Sequence, residues 1–167
     1  MIKKYFLLNA LFVLSVTSYA EPLDPVKLLS SYVGIDTVNP PGNESRAVDF
    51  YAKIFEKEGI EFSSRESAPG RGNIWARIKG GDLPALILLQ HTDVVPATKK
   101  YWDTDPFVAE IKDGYLYGRG VIDMKGAGIS QLVSFIRLHR SGLSLNRDVV
   151  LLQRLMKKPV ACLELGG

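Results

Sequence analysis

The chain has 167 residues, 46% hydrophobic and 23% charged, with a net charge of +3, the profile of one foldable globular domain rather than of a disordered chain. A single cysteine excludes a disulfide scaffold, and only one long apolar stretch excludes a multi-span membrane protein. The positive excess sits at the two ends: residues 21–152 hold 16 basic against 17 acidic side chains, a net of −1, so the basic footprint of a nucleic-acid binder is absent.

Residues 1–20 read as an export signal. Lys3 and Lys4 form a positive start, Tyr5 to Val16 is apolar apart from Asn9, and Ser18-Tyr19-Ala20 places small residues at a cleavage site. The apolar run is shorter than the roughly 20 residues that span a bilayer. The expected mature protein begins at Glu21, is periplasmic or secreted, and has no membrane attachment after cleavage. Cys162 then has no internal disulfide partner.

The mature chain opens with Asp24-Pro25, a cap followed by proline at the first helical position, and predicts a helix to about Tyr32. Asn39-Pro40-Pro41-Gly42 predicts a loop. A second helix is expected from about Ser45 to Glu58, with Val48, Tyr51, Ala52 and Phe55 on one face and Gly59 as the stop. Short strands are expected near 60–63 and 73–78. Residues 85–90 (A-L-I-L-L-Q) are almost wholly apolar, as in a strand covered on both faces. Residues 107–111 and 115–117 flank Lys112-Asp113-Gly114 as a hairpin. A long helix is expected from about Met124 to Ser141, lined by Ile129, Leu132, Val133 and Ile136, and then a strand over 148–152. Alternating helices and apolar strands argue for an α/β fold, a layered sheet with flanking helices.

Two places on this frame carry chemistry. His91-Thr92-Asp93 follows the apolar strand directly, and ligands in open α/β sheets gather at the carboxyl ends of strands. In extended backbone, residues 91 and 93 project to one side. His91 can then offer a ring nitrogen to a metal while Asp93 orients the ring; a turn that happens to contain a histidine reads equally well from these three residues. The second place is Gly118-Arg119-Gly120-Val121-Ile122-Asp123-Met124-Lys125-Gly126, between the hairpin and the long helix. Asp123 can cap the helix, bind a metal, or do both. A dinucleotide-binding module fails here, because the fingerprint needs glycine where Asp123 stands. Trp102 and Asp105-Pro106-Phe107 read as anchors of a surface loop, and His139 as a packing or helix-dipole residue.

Taken together, I-D-T-V-N-P-P-G-N-E (35–44), L-L-Q-H-T-D-V-V-P-A (88–97), W-x-x-x-P-F (102–107) and D-G-Y-L-Y-G-R-G-V-I-D-M-K-G (113–126) resemble the M20 family of zinc metallopeptidases and N-acyl-amino-acid deacylases. The resemblance runs in order from about Val26 to Leu152. It implies the N-terminal part of a hydrolase catalytic domain that acts on small peptides or N-acyl amino acids with two zinc ions. It further implies His91 as a ligand of one zinc, Asp93 as the catalytic carboxylate orienting it, and Asp123 as the carboxylate bridging both. Two such ions about 3.5–4 Å apart polarise a carbonyl and activate a water.

The family pattern then continues with Asp-Glu-Glu, the first glutamate the general base and the second a ligand, and further ligands follow. Here Leu155-Met156-Lys157 stands instead. If each codon from Gln153 onward is read one register later, the Met156/Lys157 junction must give GAA, glutamate, and the stretch can become Thr-Ala-Asp-Glu-Glu-Thr-Gly-Gly. The expectation is therefore a 21–152 fragment of an incomplete zinc-peptidase-like domain with a frameshifted 153–167 tail. It should be inactive alone, with its last strand left as a raw sheet edge, and only the intact enzyme is expected to form a homodimer. The alternative is a non-catalytic remnant that binds a metal or a partner through His91 and Asp123.

Overall fold

A computed structural model describes residues 21–155; the expected export signal and the tail from Met156 onward lie outside these residues. Among the described residues no helix is long and apolar enough to cross a membrane. The elements in chain order are helix α1 (Pro25–Val33), helix α2 (Glu44–Glu58), strands β1 (Phe62–Glu66), β2 (Gly72–Ile78) and β3 (Leu83–His91), a short 3₁₀ turn (Lys99–Tyr101), strands β4 (Glu110–Lys112) and β5 (Tyr115–Tyr117), a wide π-type turn (Val121–Lys125), helix α3 (Gly126–Ser141) and strand β6 (Arg147–Arg154).

The helix ends follow from local chemistry. The Asp24 carboxylate accepts hydrogen bonds from the Val26 and Lys27 amides ahead of Pro25, which satisfies donors that the first turn leaves free. Gly59 and Gly142 close α2 and α3 in left-handed backbone. In the β4–β5 hairpin, Asp113 and Gly114 both have positive φ, 51° and 81°, the twist that tight hairpins require.

Four strands form one sheet in the order β1-β2-β6-β3. β6 pairs antiparallel with β2 and parallel with β3. Helices α2 and α3 cover one face. Tyr51 and Phe55 of α2 and Ile129, Leu132, Phe135 and Ile136 of α3 meet Ile74, Ala76 and Leu151 of the sheet in one buried cluster. Fully burying a side chain of this size stabilises by about 1.5–3 kcal/mol, so this cluster outweighs the surface ion pairs in holding the fold.

The other face differs from expectation. β3 does not lie between two layers: Ile87 and Leu89, which alternate with the core-facing Leu88 and Gln90, are each about half exposed, because nothing among the described residues covers that side. The last strand is not an edge: β6 is inserted between β2 and β3, and among the described residues the sheet's edges are β1 and β3. β6 runs two residues past the expected end. Gln153 continues its inward alternation, is fully buried, and donates to the Tyr32 hydroxyl at 2.7 Å.

Smaller shifts have local causes. β1 starts at Phe62 because Gly59 and Ile60 are used in closing α2. β4 starts at Glu110 because Asp105-Pro106-Phe107 forms a turn in which the Phe107 amide donates to the Asp105 carboxylate. α3 starts at Gly126 because Asp123 and Met124 have non-helical backbone.

Candidate metal centre

β3 ends at His91, so the parallel β3–β6 pair delivers this side chain to the carboxyl end of the sheet. The chain then crosses to Asp93 and Val94, where residues 37–39 hold it. The Val94 amide donates to the Thr37 carbonyl, the Asn39 amide donates to the Val94 carbonyl, and the Thr37 hydroxyl donates to the Thr92 carbonyl at 2.8 Å. The Asn39 side-chain amide donates to Asp93 Oδ2 at 3.1 Å. Asp93 is 3% exposed, and a buried carboxylate needs such donors to remain ionised.

The second half of the site comes from the turn before α3. Gly120 has φ 85°, and a Cβ there would lie 2.5 Å from Val94 Cγ1, so glycine is required both by conformation and by space. The Lys125 amide closes the turn on the Gly120 carbonyl at 2.8 Å. Lys125 is buried, and its ammonium donates to the carbonyls of Tyr32 at 2.9 Å and Ile35 at 2.7 Å, at the end of α1. Burial pulls the Lys125 pKa down to about 8. A cation at a helix C-terminus is favourably placed against the helix dipole.

These two segments bring His91 Nε2 to 2.9 Å from Asp123 Oδ1. His91 Nδ1 lies 3.1 Å from the Asp93 carbonyl oxygen and 3.5 Å from Asp93 Oδ1. The hydrogen bond to Asp93, aided by that to Asp123, raises the His91 pKa to about 8 against the opposing effect of burial. The His91 amide also donates to Met124 Sδ at 3.4 Å. The Asp123 side chain is 85% exposed while that of His91 is 13% exposed. All three residues line a cavity of about 450 Å³ with Trp102, Tyr115–Tyr117 and Arg119.

The structure therefore brings together all three residues singled out from sequence. It overturns one alternative: Asp123 does not cap α3, whose first turn has no side-chain cap. His139 lies in the last turn of α3 and does not line the cavity. Sequence reasoning missed Thr37, Asn39 and Lys125 as supports. The 35–44 motif was the available signal, but no local pattern shows that it folds back on residues 92–94.

An imidazole nitrogen and a carboxylate oxygen converging on one point are ligand types that zinc accepts, and Asp93 beside the ring is the partner such a ligand takes. The set fits the metal in kind and supplies two protein ligands. No cluster of three or more His, Cys, Asp or Glu suited to a metal occurs among the described residues.

Comparison with known proteins bears on the family and the fold. Residues 87–153 match the family model for peptidase family M20/M25/M40. The chain is 37% identical over 132 residues to a succinyl-diaminopimelate desuccinylase of Parvibaculum lavamentivorans, an alignment that covers 75% of this chain and 32% of that protein. It is 48% identical over 73 residues to the desuccinylase of Xanthomonas oryzae pv. oryzae, covering 41% and 19%. Among solved structures it resembles an M20 family metallo-carboxypeptidase of Sulfolobus solfataricus, with a TM-score of 0.67 at 22% identity over 80% of this chain and 31% of that one. Human carnosine dipeptidase 1 aligns with a TM-score of 0.57 at 26% identity, over 83% and 33%. The chain spans about a third of the length of the first curated relatives that it matches.

Proposed function

We propose that this chain, which belongs to peptidase family M20/M25/M40, contributes His91, Asp93 and Asp123 to the metal centre of a hydrolase of peptide or N-acyl-amino-acid amide bonds. The observation that carries the reading is the approach of His91 Nε2 to Asp123 Oδ1 at the carboxyl end of β3, with Asp93 behind the ring. In the complete site we assign zinc, two ions, with His91 and Asp123 as ligands. Bound there, zinc supplies Lewis-acid polarisation of the scissile carbonyl and a nucleophilic water at neutral pH.

The rest follows from the chain's own groups. Asp93 fixes which nitrogen of His91 faces the cavity. Asn39 holds Asp93 in place. Trp102, Tyr115 and Tyr117 wall the cavity and limit water around the reacting bond. No glutamate lines the cavity among the described residues, so a general base of the kind that family resemblance implies is not supplied there. We read the 167-residue chain as holding part of the metal site without turning over substrate.

The experiment assays the chain with zinc against N-acyl amino acids and dipeptides, beside a gene shifted by one base after codon 152. The proposal expects no turnover above that of Asp123→Ala for the chain as it stands, and zinc-dependent turnover after the shift. Turnover by the 167-residue chain itself would overturn the inactivity. A shifted gene that encodes neither Glu-Glu nor a later His-containing frame would overturn the tail reading.

A further inference from the structure

Arg119 stands out because it lines the cavity beside His91 and Asp123 with a buried guanidinium nitrogen, Nε, that has no hydrogen-bond partner among the described residues. Its guanidinium lies over the Trp102 ring, 5.1 Å from the centroid. Its backbone amide is fixed on the Pro106 carbonyl, so the W-x-x-x-P-F segment grips it twice, through the aromatic face and through the main chain.

A guanidinium held over an aromatic ring by a cation–π contact still has N–H groups to donate to a ligand. A buried donor in the guanidinium fork without an acceptor is costly, and two parallel hydrogen bonds donated to a carboxylate are the arrangement that best satisfies it. Trp102, Val95, Val121 and Ile122 make the neighbouring wall apolar. The geometry points to Arg119 as the anchor for a carboxylate carried on an apolar group. It is a specificity-determining residue for the ligand that enters beside His91 and Asp123. This inference rests on the reading of the cavity as the substrate cleft.

The test is binding to the full chain in the presence of EDTA, followed by calorimetry and by tryptophan fluorescence, since Trp102 would report a ligand on Arg119. The probes are N-acetyl-leucine and N-acetyl-leucinamide, which differ in the carboxylate alone. Saturable binding of the acid, about tenfold or more tighter than the amide, is expected, because the charge-assisted pair is absent from the amide. Arg119→Gln should bring the acid down to the amide, and Arg119→Lys should retain part of the difference. A structural role on Trp102 alone would leave acid and amide equal in the wild type. Equal binding of acid and amide, no saturable binding of the acid at millimolar concentration, or an unchanged acid preference in folded Arg119→Gln each overturns the assignment. If Arg119→Gln does not fold, the wild-type acid-to-amide comparison decides. Zinc binding measured separately on the same proteins distinguishes failure of this anchor from failure of the metal-site reading.

Discussion

His91 and Asp123 are 32 residues apart in sequence, and His91 Nε2 and Asp123 Oδ1 are 2.9 Å apart in space. Neither segment reaches that point unaided. The end of β3 is steered by residues 37–39, and the turn carrying Asp123 is tied through Lys125 to the end of α1. The site is thus an assembly of three separate loops on one sheet, and each tie can be cut independently.

Cutting the tie behind the imidazole should weaken metal binding without unfolding the chain. Asp93→Asn keeps the shape and removes the charge facing His91 Nδ1. Zinc affinity should fall about 10–100-fold, as for other partners that orient a metal-binding histidine. Competition against a chelating dye measures it, and an unchanged affinity would count against the orienting role.

Lys125 links the centre to α1. Lys125→Met keeps much of the apolar stem but removes the ammonium donor from the Ile35 carbonyl and from the Tyr32 carbonyl, which keeps only the Ile35 amide. Leaving a buried polar group without its partner costs about 1–3 kcal/mol, so losing the Lys125 donor to the Ile35 carbonyl should show in urea unfolding as a loss of about 1 kcal/mol. Zinc binding should weaken in the same variant. A substitution neutral in both assays would show that the turn is held by other contacts.

Asp148 joins the start of β6 to the loop before β3. Its carboxylate accepts the Gly80 amide at 2.8 Å and pairs with Arg77. The Gly80 hydrogen bond, with Arg77 beside it, holds its pKa below the ordinary value. A carboxylate with a lowered folded-state pKa contributes stability that is present above its unfolded value, about 3.9. That contribution is lost as pH falls through the folded value. The stability gap between wild type and Asp148→Ala should therefore be constant at neutral pH and close below about pH 4. Urea melts across that range follow it; a gap that widens in acid would contradict the assignment.

The open sheet face should be visible in solution. Ile87 and Leu89 of β3 and Trp75 of β2 are exposed on it, and β3 is an edge strand among the described residues. Apolar faces and raw edges of this kind favour association. The chain should bind an apolar dye and associate with rising concentration, and the Ile87→Lys, Leu89→Lys double variant should reduce both. Light scattering independent of concentration would refute this.

Much of this arrangement was legible in the sequence because it is local. Asp24-Pro25, Gly59, Asp113-Gly114 and Gly142 mark their boundaries by backbone chemistry alone. His91 and Asp93 stood out by position after an apolar strand, but only the motifs around them separated a metal site from a turn. Strand order did not, because an apolar run such as 85–90 has the same composition whether one face or two are covered. Nor did the supports. Lys125 looks like any surface lysine until α1 places three backbone carbonyls around it. Asn39 reads only as a loop residue until its amide meets Asp93.

The central claim, that His91 and Asp123 form one metal-binding point, is tested most directly by equilibrium dialysis of the 167-residue chain against zinc, beside His91→Ala and Asp123→Ala. The account predicts saturable binding by the wild type that either substitution abolishes while the far-UV circular dichroism stays unchanged. Binding that survives both substitutions, or no binding by the folded wild-type chain, would contradict it.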